Sequence, residues 1–326
     1  MSEKDEEVLV EKVREFQKTK RPDDSPNTAT ILKEKRELSA PVSETEAKRA
    51  MFKRSRRTFL IGGATAVLGY LGYSWLRKPE NTYLFERMFR FNENVSRAFF
   101  ESSDLAPEFP RELAGARVNG MLGLDEELKA DEWKLQVTGL ANPQQFPQFS
   151  SDISFAGDNR QSNLTPAPDT SEPVSGLVFS LDDIKKLPRV EMTTELKCIE
   201  GWVQIVNWTG VRFSDFAAQF FPVLQTGEAP DLQHIPESLT KYVSLVTPDQ
   251  EYYVGWDMQS ILHPQTLLAY EMNGEPLKPE HGAPLRLVST TKYGIKQLKR
   301  IGRIEFTNNR PADYWAENGY DWYSGH

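Results

Sequence analysis

Cysteine is almost absent from this chain of 326 residues, which contains a single one, Cys198. A lone thiol cannot form an internal disulfide, so a disulfide framework is excluded and cysteine usage does not identify the redox compartment. CxxC and HExxH motifs are missing, and the four histidines are too scattered to suggest a zinc site: His234, His263, His281 and His326. GxGxxG and GxxxxGK[ST] motifs are missing too, so no nucleotide or flavin site is indicated.

Positively charged residues are not in excess: the chain has 39 Lys and Arg residues and 47 Asp and Glu residues, for a net charge of −8. A general nucleic-acid binder needs a basic face, so we expect no nucleic-acid partner. Hydrophobic residues make up 39% of the chain, which at this length suffices for one large core or two modest ones.

The first segment, residues 1–50, is polar and of mixed charge. Its apolar surface is too small for independent folding, so we predict a disordered tail. One short stretch, Glu6–Lys18, carries an apolar stripe at helical spacing, which leaves open a helix that docks on a partner.

The second segment, residues 51–78, reads as an export signal and membrane anchor. Thr58 to Leu76 is an uncharged run of 19 residues, which as a helix spans roughly 28 Å, close to the thickness of a bilayer core. Arg56 and Arg57 precede it in the order Ser-Arg-Arg-x-Phe-Leu, which is typical of a twin-arginine signal, although an ordinary signal anchor with a chance arginine pair remains open. No A-x-A-like cleavage site follows, so we expect the helix to remain as an anchor.

The third segment, residues 79–326, alternates short strands and helices irregularly, which predicts an α+β domain with mixed β-sheets. Ser180 before LDDIKKL and Ser214 before DFAAQFF are expected to be helix N-caps. Residues 144–175 are rich in Pro, Ser, Asn and Asp, which predicts a long loop or insertion.

Cys198 follows VEMTTELK, a run of β-forming residues, and precedes Gly201 and Trp202. It therefore lies near a strand end, where the chain turns and a side chain can be presented. On these residues alone, the thiol is a small buried hydrophobe, a nucleophile or a metal ligand.

A second notable region is HGAPLRLV followed by YGIKQLKR, residues 281–288 and 293–300, which concentrates cations in a short stretch. Those charges either face solvent along a strand edge or surround an anion such as a phosphate.

The C-terminal PADYWAENGYDWYSGH carries five aromatic residues and either packs on the surface of the domain or forms a wall of a substrate pocket.

The segment around Cys198 and the basic region at 281–300 both resemble the sulfite oxidase superfamily of molybdopterin-dependent oxidoreductases. ELKCIEGWVQIVNWTGVRFSDF is similar to the segment that carries the molybdenum-ligating cysteine, and most similar to the branch of the periplasmic methionine sulfoxide reductase catalytic subunit. The two basic stretches match the H-G-x-P-x-R-L-V and Y-G-x-K-x-x-K segments that hold molybdopterin. His281 is the residue type that sulfite oxidases tend to carry there, whereas the reductase branch carries asparagine.

The resemblance implies a role for each matching residue. Cys198 would be the metal ligand and the catalytic residue, and Mo-molybdopterin the cofactor. Arg286 would pair with the phosphate, and His281 would donate to the pterin. The remaining implied cofactor contacts are Asn92 (with Asn94 and Arg97 as competing candidates), Thr247, Lys296, Gln297, Leu298 and Lys299.

The resemblance also implies a reaction, namely oxygen-atom transfer and most specifically reduction of an S-oxide such as methionine sulfoxide. Sulfite-type oxidation at the same site is the alternative, as is a non-catalytic molybdopterin-binding protein of the same fold. Because the sequence has no haem-binding domain, electrons would come from a separate haem membrane protein or cytochrome. The enzyme would lie on the periplasmic side of the inner membrane.

Overall fold

A computed structural model describes residues 82–118, 120–124, 128, 131–141, 143–154, 172–220 and 239–325. These residues belong to two compact units, 82–110 and 111–324. No helix among them is both long enough and apolar enough to cross a membrane. The predicted tail (1–50) and anchor (51–78) lie outside the described residues, so both stay predictions.

The first unit contains one long helix, α1 (Thr82–Phe99). Its apolar residues recur at helical spacing, and charged pairs lie one turn apart on its polar face. Arg97 donates to the Glu93 carboxylate at 2.8 Å, and the exposed Arg90 lies 3.9 Å from Glu86.

The described residues of the second unit form two sheets and four short α-helices. The strands are β1 (Leu135–Thr138), β2 (Ser150–Ile153), β3 (Val174–Phe179), β4 (Arg189–Lys197), β5 (Val203–Arg212), β6 (Tyr242–Val246), β7 (Tyr253–Asp257), β8 (Thr266–Met272), β9 (Glu275–Pro276), β10 (Arg286–Ser289) and β11 (Arg303–Thr307). The helices are α2 (Leu181–Lys185), α3 (Phe213–Gln219), α4 (Met258–Ile261) and α5 (Tyr314–Glu317).

One sheet has the order β2-β3-β1-β11-β6-β7, and the other has the order β10-β8-β5-β4 with β9 added to β8. The β1–β11 pair is parallel, and the neighbouring pairs β1–β3 and β11–β6 are antiparallel. The predicted α+β class with mixed sheets is therefore confirmed.

The main core draws buried side chains from both sheets and from α3. Phe213 and Phe216 of α3 are fully buried, and their rings meet Phe306 and Phe179 at centroid distances of 6.1 and 5.6 Å. A smaller cluster around Trp208 and Val288 covers another face of the second sheet. Apolar burial on this scale is the main source of stability for such a domain.

The first turns of α2 and α3 are capped differently. Ser180 is the N-cap of α2 and forms a complete capping box with Asp183, as predicted. Ser214 is not an N-cap: α3 begins at Phe213, and Arg212 occupies the cap position without a side-chain hydrogen bond. The reason is that β5 continues to Arg212, where it pairs with Leu267, so the helix starts directly at the end of the strand.

The predicted loop at 144–175 is only partly right. Residues 155–171 lie outside the described part of the chain, but Ser150–Ile153 form β2, an edge strand that pairs with β3. Most of its side chains are exposed, which explains why its sequence, SSDI, carries no strand pattern.

Candidate active site

Cys198 lines a cavity of about 270 Å³ in the second unit. The cavity is bordered by the β4–β5 turn, by the segment after β10, by the C-terminal segment and by Arg117, Val118, Gly120 and Leu122. Its lining side chains include Arg117, Glu200, Trp202, Tyr252, Gln297, Lys299, Trp315 and Tyr320. Residues far apart in sequence thus converge on the one thiol of the chain.

The β4–β5 turn explains why Cys198 is presented. Lys197 and Val203 are the last paired residues of the hairpin, so residues 198–202 form its loop. Cys198 N–H donates to the Trp202 carbonyl at 3.0 Å, and Gly201 N–H donates to the Cys198 carbonyl at 3.0 Å. Gly201 has φ of +89°, a conformation that favours glycine.

The Cys198 thiol is 7% exposed. Burial raises its pKa; the nearby Glu200 carboxylate adds to this, while the Glu200 backbone and Arg117 partly oppose it. The isolated site therefore holds a protonated thiol at neutral pH, and binding of a metal would release that proton.

Arg117, Glu200 and Trp202 form a polar group at the mouth of the cavity. The Arg117 guanidinium lies 4.2 Å from the centre of the Trp202 ring, and Trp202 Nε1 donates to Glu200 Oε2 at 2.9 Å. A cation stacked on an indole is held without a salt bridge and keeps its donors available. Arg117 and Glu200 were not predicted from the sequence, because neither belongs to a pattern that distinguishes it from other surface charges.

A group of buried cations lies behind the cavity. Arg286 of β10 is 2% exposed, and its Nη1 donates to the His281 carbonyl at 3.1 Å. Lys299 lines the cavity and donates to the carbonyl oxygens of Gly120 and Glu280. The turn between His281 and Arg286 makes this convergence possible, since Gly282 (φ +93°) approaches the Lys299 backbone so closely that a Cβ there would lie 2.8 Å from Lys299 Cα.

Burial and mutual repulsion disfavour the charged forms of these side chains. Burial lowers the pKa of Arg286 to about 9, and burial together with Arg286 lowers the pKa of Lys299 to about 8. Burial, followed by Arg286, also lowers the pKa of His281. Among the described residues Arg286 has no carboxylate partner, and its Nε is buried without a hydrogen-bond partner. Arg286 therefore has no counter-ion among the described residues.

The other two lysines of this region lie in a different environment. Lys296 is fully buried and donates to Asp313 at 2.5 Å, while Lys292, also fully buried, lies 3.0 Å from Asp257. The Lys292 ammonium also donates to the Tyr323 carbonyl at 2.8 Å. These two cations have carboxylate partners and tie the segment after β10 to β7 and to the C-terminal segment. The predicted cofactor contact of Lys296 stays a prediction, and its ammonium is engaged by Asp313.

The remaining predicted contacts use side chains that are already occupied. The Thr247 hydroxyl is hydrogen-bonded within the β6–β7 turn, where it contacts Asp249 and accepts from Tyr252 N–H at 3.1 Å. Gln297 Nε2 donates to the Ser289 and Lys292 carbonyls, at 2.8 and 3.1 Å. Leu298 is fully buried, and its carbonyl accepts from Leu287 N–H. Contacts from this stretch to a ligand would thus come from its backbone and from the Lys299 ammonium.

Asn92, Asn94 and Arg97 lie on α1, in the unit formed by residues 82–110. Asn92 and Asn94 are exposed. Their predicted contacts with the cofactor stay predictions.

The site fits the cofactor that the resemblance implies. Molybdopterin carries a phosphate, and the buried Arg286–Lys299–His281 group supplies cations and lacks a carboxylate for Arg286. The metal prefers soft sulfur donors, and the cavity presents one thiol. Cys198 would hold the metal, while Arg286, Lys299 and His281 would hold the phosphate and pterin.

Comparison with known proteins identifies a related domain family. Residues 170–315 match the oxidoreductase molybdopterin-binding domain family. The putative protein-methionine-sulfoxide reductase subunit YedZ1 of Azospira oryzae is 29% identical over 286 residues, which cover 86% of this chain and 89% of that protein. The protein-methionine-sulfoxide reductase catalytic subunit MsrP of Campylobacter jejuni is 34% identical over 162 residues, covering 45% of this chain and 52% of that protein.

Among solved structures, the sulfane dehydrogenase SoxCD of Paracoccus pantotrophus matches over 57% of this chain and 40% of its own, with 19% identity and a TM-score of 0.39. The matched family domain contains Cys198 and both basic stretches that surround the buried cations. Residues 170–315 are therefore an oxidoreductase molybdopterin-binding domain, in a chain that is similar to protein-methionine-sulfoxide reductase subunits.

Proposed function

We propose that this enzyme reduces an S-oxide, such as methionine sulfoxide, at a molybdenum centre ligated by Cys198. The balanced reaction takes the S-oxide, two electrons and two protons to the sulfide and water. The observation that carries the proposal is the buried thiol in a cavity that Lys299 also lines, next to the buried Arg286, which has no carboxylate partner among the described residues. The relatives named as methionine sulfoxide reductases support the choice of substrate.

When bound, the cofactor supplies the two-electron change that oxygen-atom transfer requires. The residues of the chain orient and enclose it. Arg286 and Lys299 neutralise the phosphate, and the β4–β5 turn fixes the direction of the Cys198 sulfur. Tyr252, whose hydroxyl donates to the Ile295 carbonyl, and Trp202 narrow the cavity and reduce access of water.

Arg117 would orient the substrate. The S–O bond of a sulfoxide places negative charge on oxygen, to which the Arg117 guanidinium can donate a hydrogen bond. Glu200, also in the cavity lining, balances the charge of Arg117 and disfavours a second anion at the mouth.

Sulfite-type oxidation is the second candidate, because a specific observation favours it. Arg117 and Lys299 line the cavity, and two cations would attract a small anion such as sulfite. His281 is the residue type that sulfite oxidases tend to carry at its position.

The test begins with metal analysis of the purified protein, for which we expect molybdenum. Activity is then compared with reduced viologen and an S-oxide, and with sulfite and an artificial electron acceptor. S-oxide reduction well above sulfite oxidation supports the proposal. Efficient sulfite oxidation with negligible S-oxide reduction would reverse the assignment, and absence of molybdenum from active enzyme would refute both candidates.

We further propose that the protein is exported in its folded state by the twin-arginine route and stays anchored, with residues 1–50 in the cytoplasm. Arg56-Arg57 ahead of the apolar run supports this. A separate haem membrane protein or cytochrome would then supply electrons. Replacing both arginines with lysine should retain the enzyme in the cytoplasm, whereas a soluble periplasmic form that begins near residue 80 would exclude the anchor.

A further inference from the structure

The C-terminal segment, residues 313–324, forms one wall of the cavity that contains Cys198. Trp315 and Tyr320 both line it, with their rings in a T-shaped arrangement at a centroid distance of 5.1 Å. Tyr320 N–H donates to the Trp315 carbonyl at 2.9 Å, which closes the turn between them. Trp315 is partly buried, and Tyr320 is 40% exposed at the mouth.

Buried hydrogen bonds and charged contacts hold both ends of this segment in place. Asp313, at the start of the segment, is 2% exposed and accepts from the Lys296 ammonium, from Gly255 N–H and from Ala316 N–H. At the other end the Tyr323 carbonyl accepts from the Lys292 ammonium, which also lies 3.3 Å from the Tyr323 ring centre. Buried charged contacts at both ends leave Trp315 and Tyr320 little freedom to move away from the cavity.

Exposed apolar side chains also lie at the cavity mouth, beside the charged Arg117 and Glu200. Among the described residues of this unit, the exposed large apolar side chains are Val118, Met121, Val174, Ile199 and Tyr320. Val118, Ile199 and Tyr320 line the cavity, and Met121 lies between two residues that do. Exposed apolar side chains that cluster around a cavity mark a binding surface for apolar groups, whereas scattered ones do not.

We propose that Trp315 and Tyr320 determine substrate specificity by binding the apolar group that flanks the S-oxide, together with Val118 and Ile199 of the same cavity lining. Aromatic rings suit this role, because their large apolar faces bury the methyl and methylene groups of an alkyl chain. The wall therefore selects S-oxides that carry an alkyl chain over the smallest ones. This inference rests on the proposed function.

The test compares two substrates in the molybdenum-loaded enzyme, N-acetylmethionine sulfoxide and dimethyl sulfoxide. Tyr320→Ala is expected to raise KM for N-acetylmethionine sulfoxide about tenfold, equivalent to about 1.4 kcal/mol, with kcat within twofold. KM for dimethyl sulfoxide should change less than threefold. Trp315→Phe, which keeps an aromatic ring in the wall, should give a smaller change in the same direction.

The matched control is Val174→Ala on β3, an exposed apolar residue outside the cavity lining, which should leave both KM values unchanged. Equal KM values for N-acetylmethionine sulfoxide in Tyr320→Ala and in active wild-type enzyme would overturn the specificity role alone. An equal increase for both substrates would do the same, since the wall would not then discriminate. A molybdenum-loaded wild-type enzyme that reduces neither S-oxide would instead overturn the proposed function together with this inference.

Discussion

Replacing Arg286 with methionine should stabilise the cofactor-free protein and weaken cofactor binding. Arg286 is 2% exposed and has no carboxylate partner among the described residues, so the folded chain bears the cost of a buried charge. Methionine has a similar length and no charge, and replacing a buried charge with an apolar side chain is often stabilising.

The magnitude follows from the contacts of Arg286. Burial lowers the pKa of Arg286 well below its ordinary value, to about 9, and at about 1.4 kcal/mol for each tenfold change this shift corresponds to roughly 5 kcal/mol of cost as an upper limit. The substitution also removes the hydrogen bond to the His281 carbonyl and the contact with the Trp208 ring at 4.7 Å, each worth about 1 kcal/mol. Subtracting these contacts leaves a net gain of at most about 3 kcal/mol; because the burial cost is an upper limit, we expect about 2 kcal/mol, or a rise in Tm of about 4–8 °C for a domain of this size.

The assay is thermal unfolding of protein from a host that makes no molybdopterin, together with cofactor content from a host that does. We expect cofactor affinity to fall roughly 10–150-fold, because a charge-assisted contact with phosphate is worth about 1.5–3 kcal/mol. Lys296→Met is the matched control and should lower the stability by about 3–5 kcal/mol, since it leaves Asp313 buried without its partner. A lower Tm for cofactor-free Arg286→Met with unchanged cofactor content would refute the view of Arg286 as an anion-binding residue.

Three further predictions concern the same domain. The pKa of Lys299 is lowered to about 8 by burial and by Arg286, so above pH 8 the unfolded chain binds more protons than the folded one. The stability of the cofactor-free protein should therefore rise between pH 7 and 9.5, and denaturant titrations should show a smaller rise in Lys299→Met, where the lowered pKa of Arg286 still contributes. Ser180→Ala should cost about 1 kcal/mol in denaturant unfolding, because it removes the cap of α2; an unchanged midpoint would contradict this. Gly282→Ala should reduce cofactor content, since φ is +93° and the added Cβ would lie 2.8 Å from Arg300 N; normal content would show that this turn does not shape the site.

Local signals predicted much of the fold. The β-forming run before Cys198 is β4, and Ser180 caps α2 because its side chain and that of Asp183 satisfy each other's backbone N–H groups. The sequence missed β5 as a strand and placed the cap of the next helix at Ser214. That strand is buried along most of its length and pairs on both sides, so its pattern does not alternate and only its partners fix where it ends.

The division of the cations could not be predicted from the sequence. Lys292, Lys296 and Lys299 lie close together in the chain, yet the first two pair with carboxylates and the third lines the cavity. Which lysines form ion pairs depends on Asp257 and Asp313, which belong to separate elements. The aromatic C-terminus left two interpretations open for the same reason, and Trp315 and Tyr320 now place part of it in the cavity wall.

The most direct test of the central claim is turnover per bound molybdenum in Cys198→Ser. Serine replaces a soft sulfur donor by a hard hydroxyl that stays mostly protonated, while Arg286, His281 and Lys299 are untouched. We predict that the variant retains part of its cofactor and loses nearly all S-oxide reduction per molybdenum. Full turnover per molybdenum would show that Cys198 is a structural thiol and would contradict its assignment as the metal ligand.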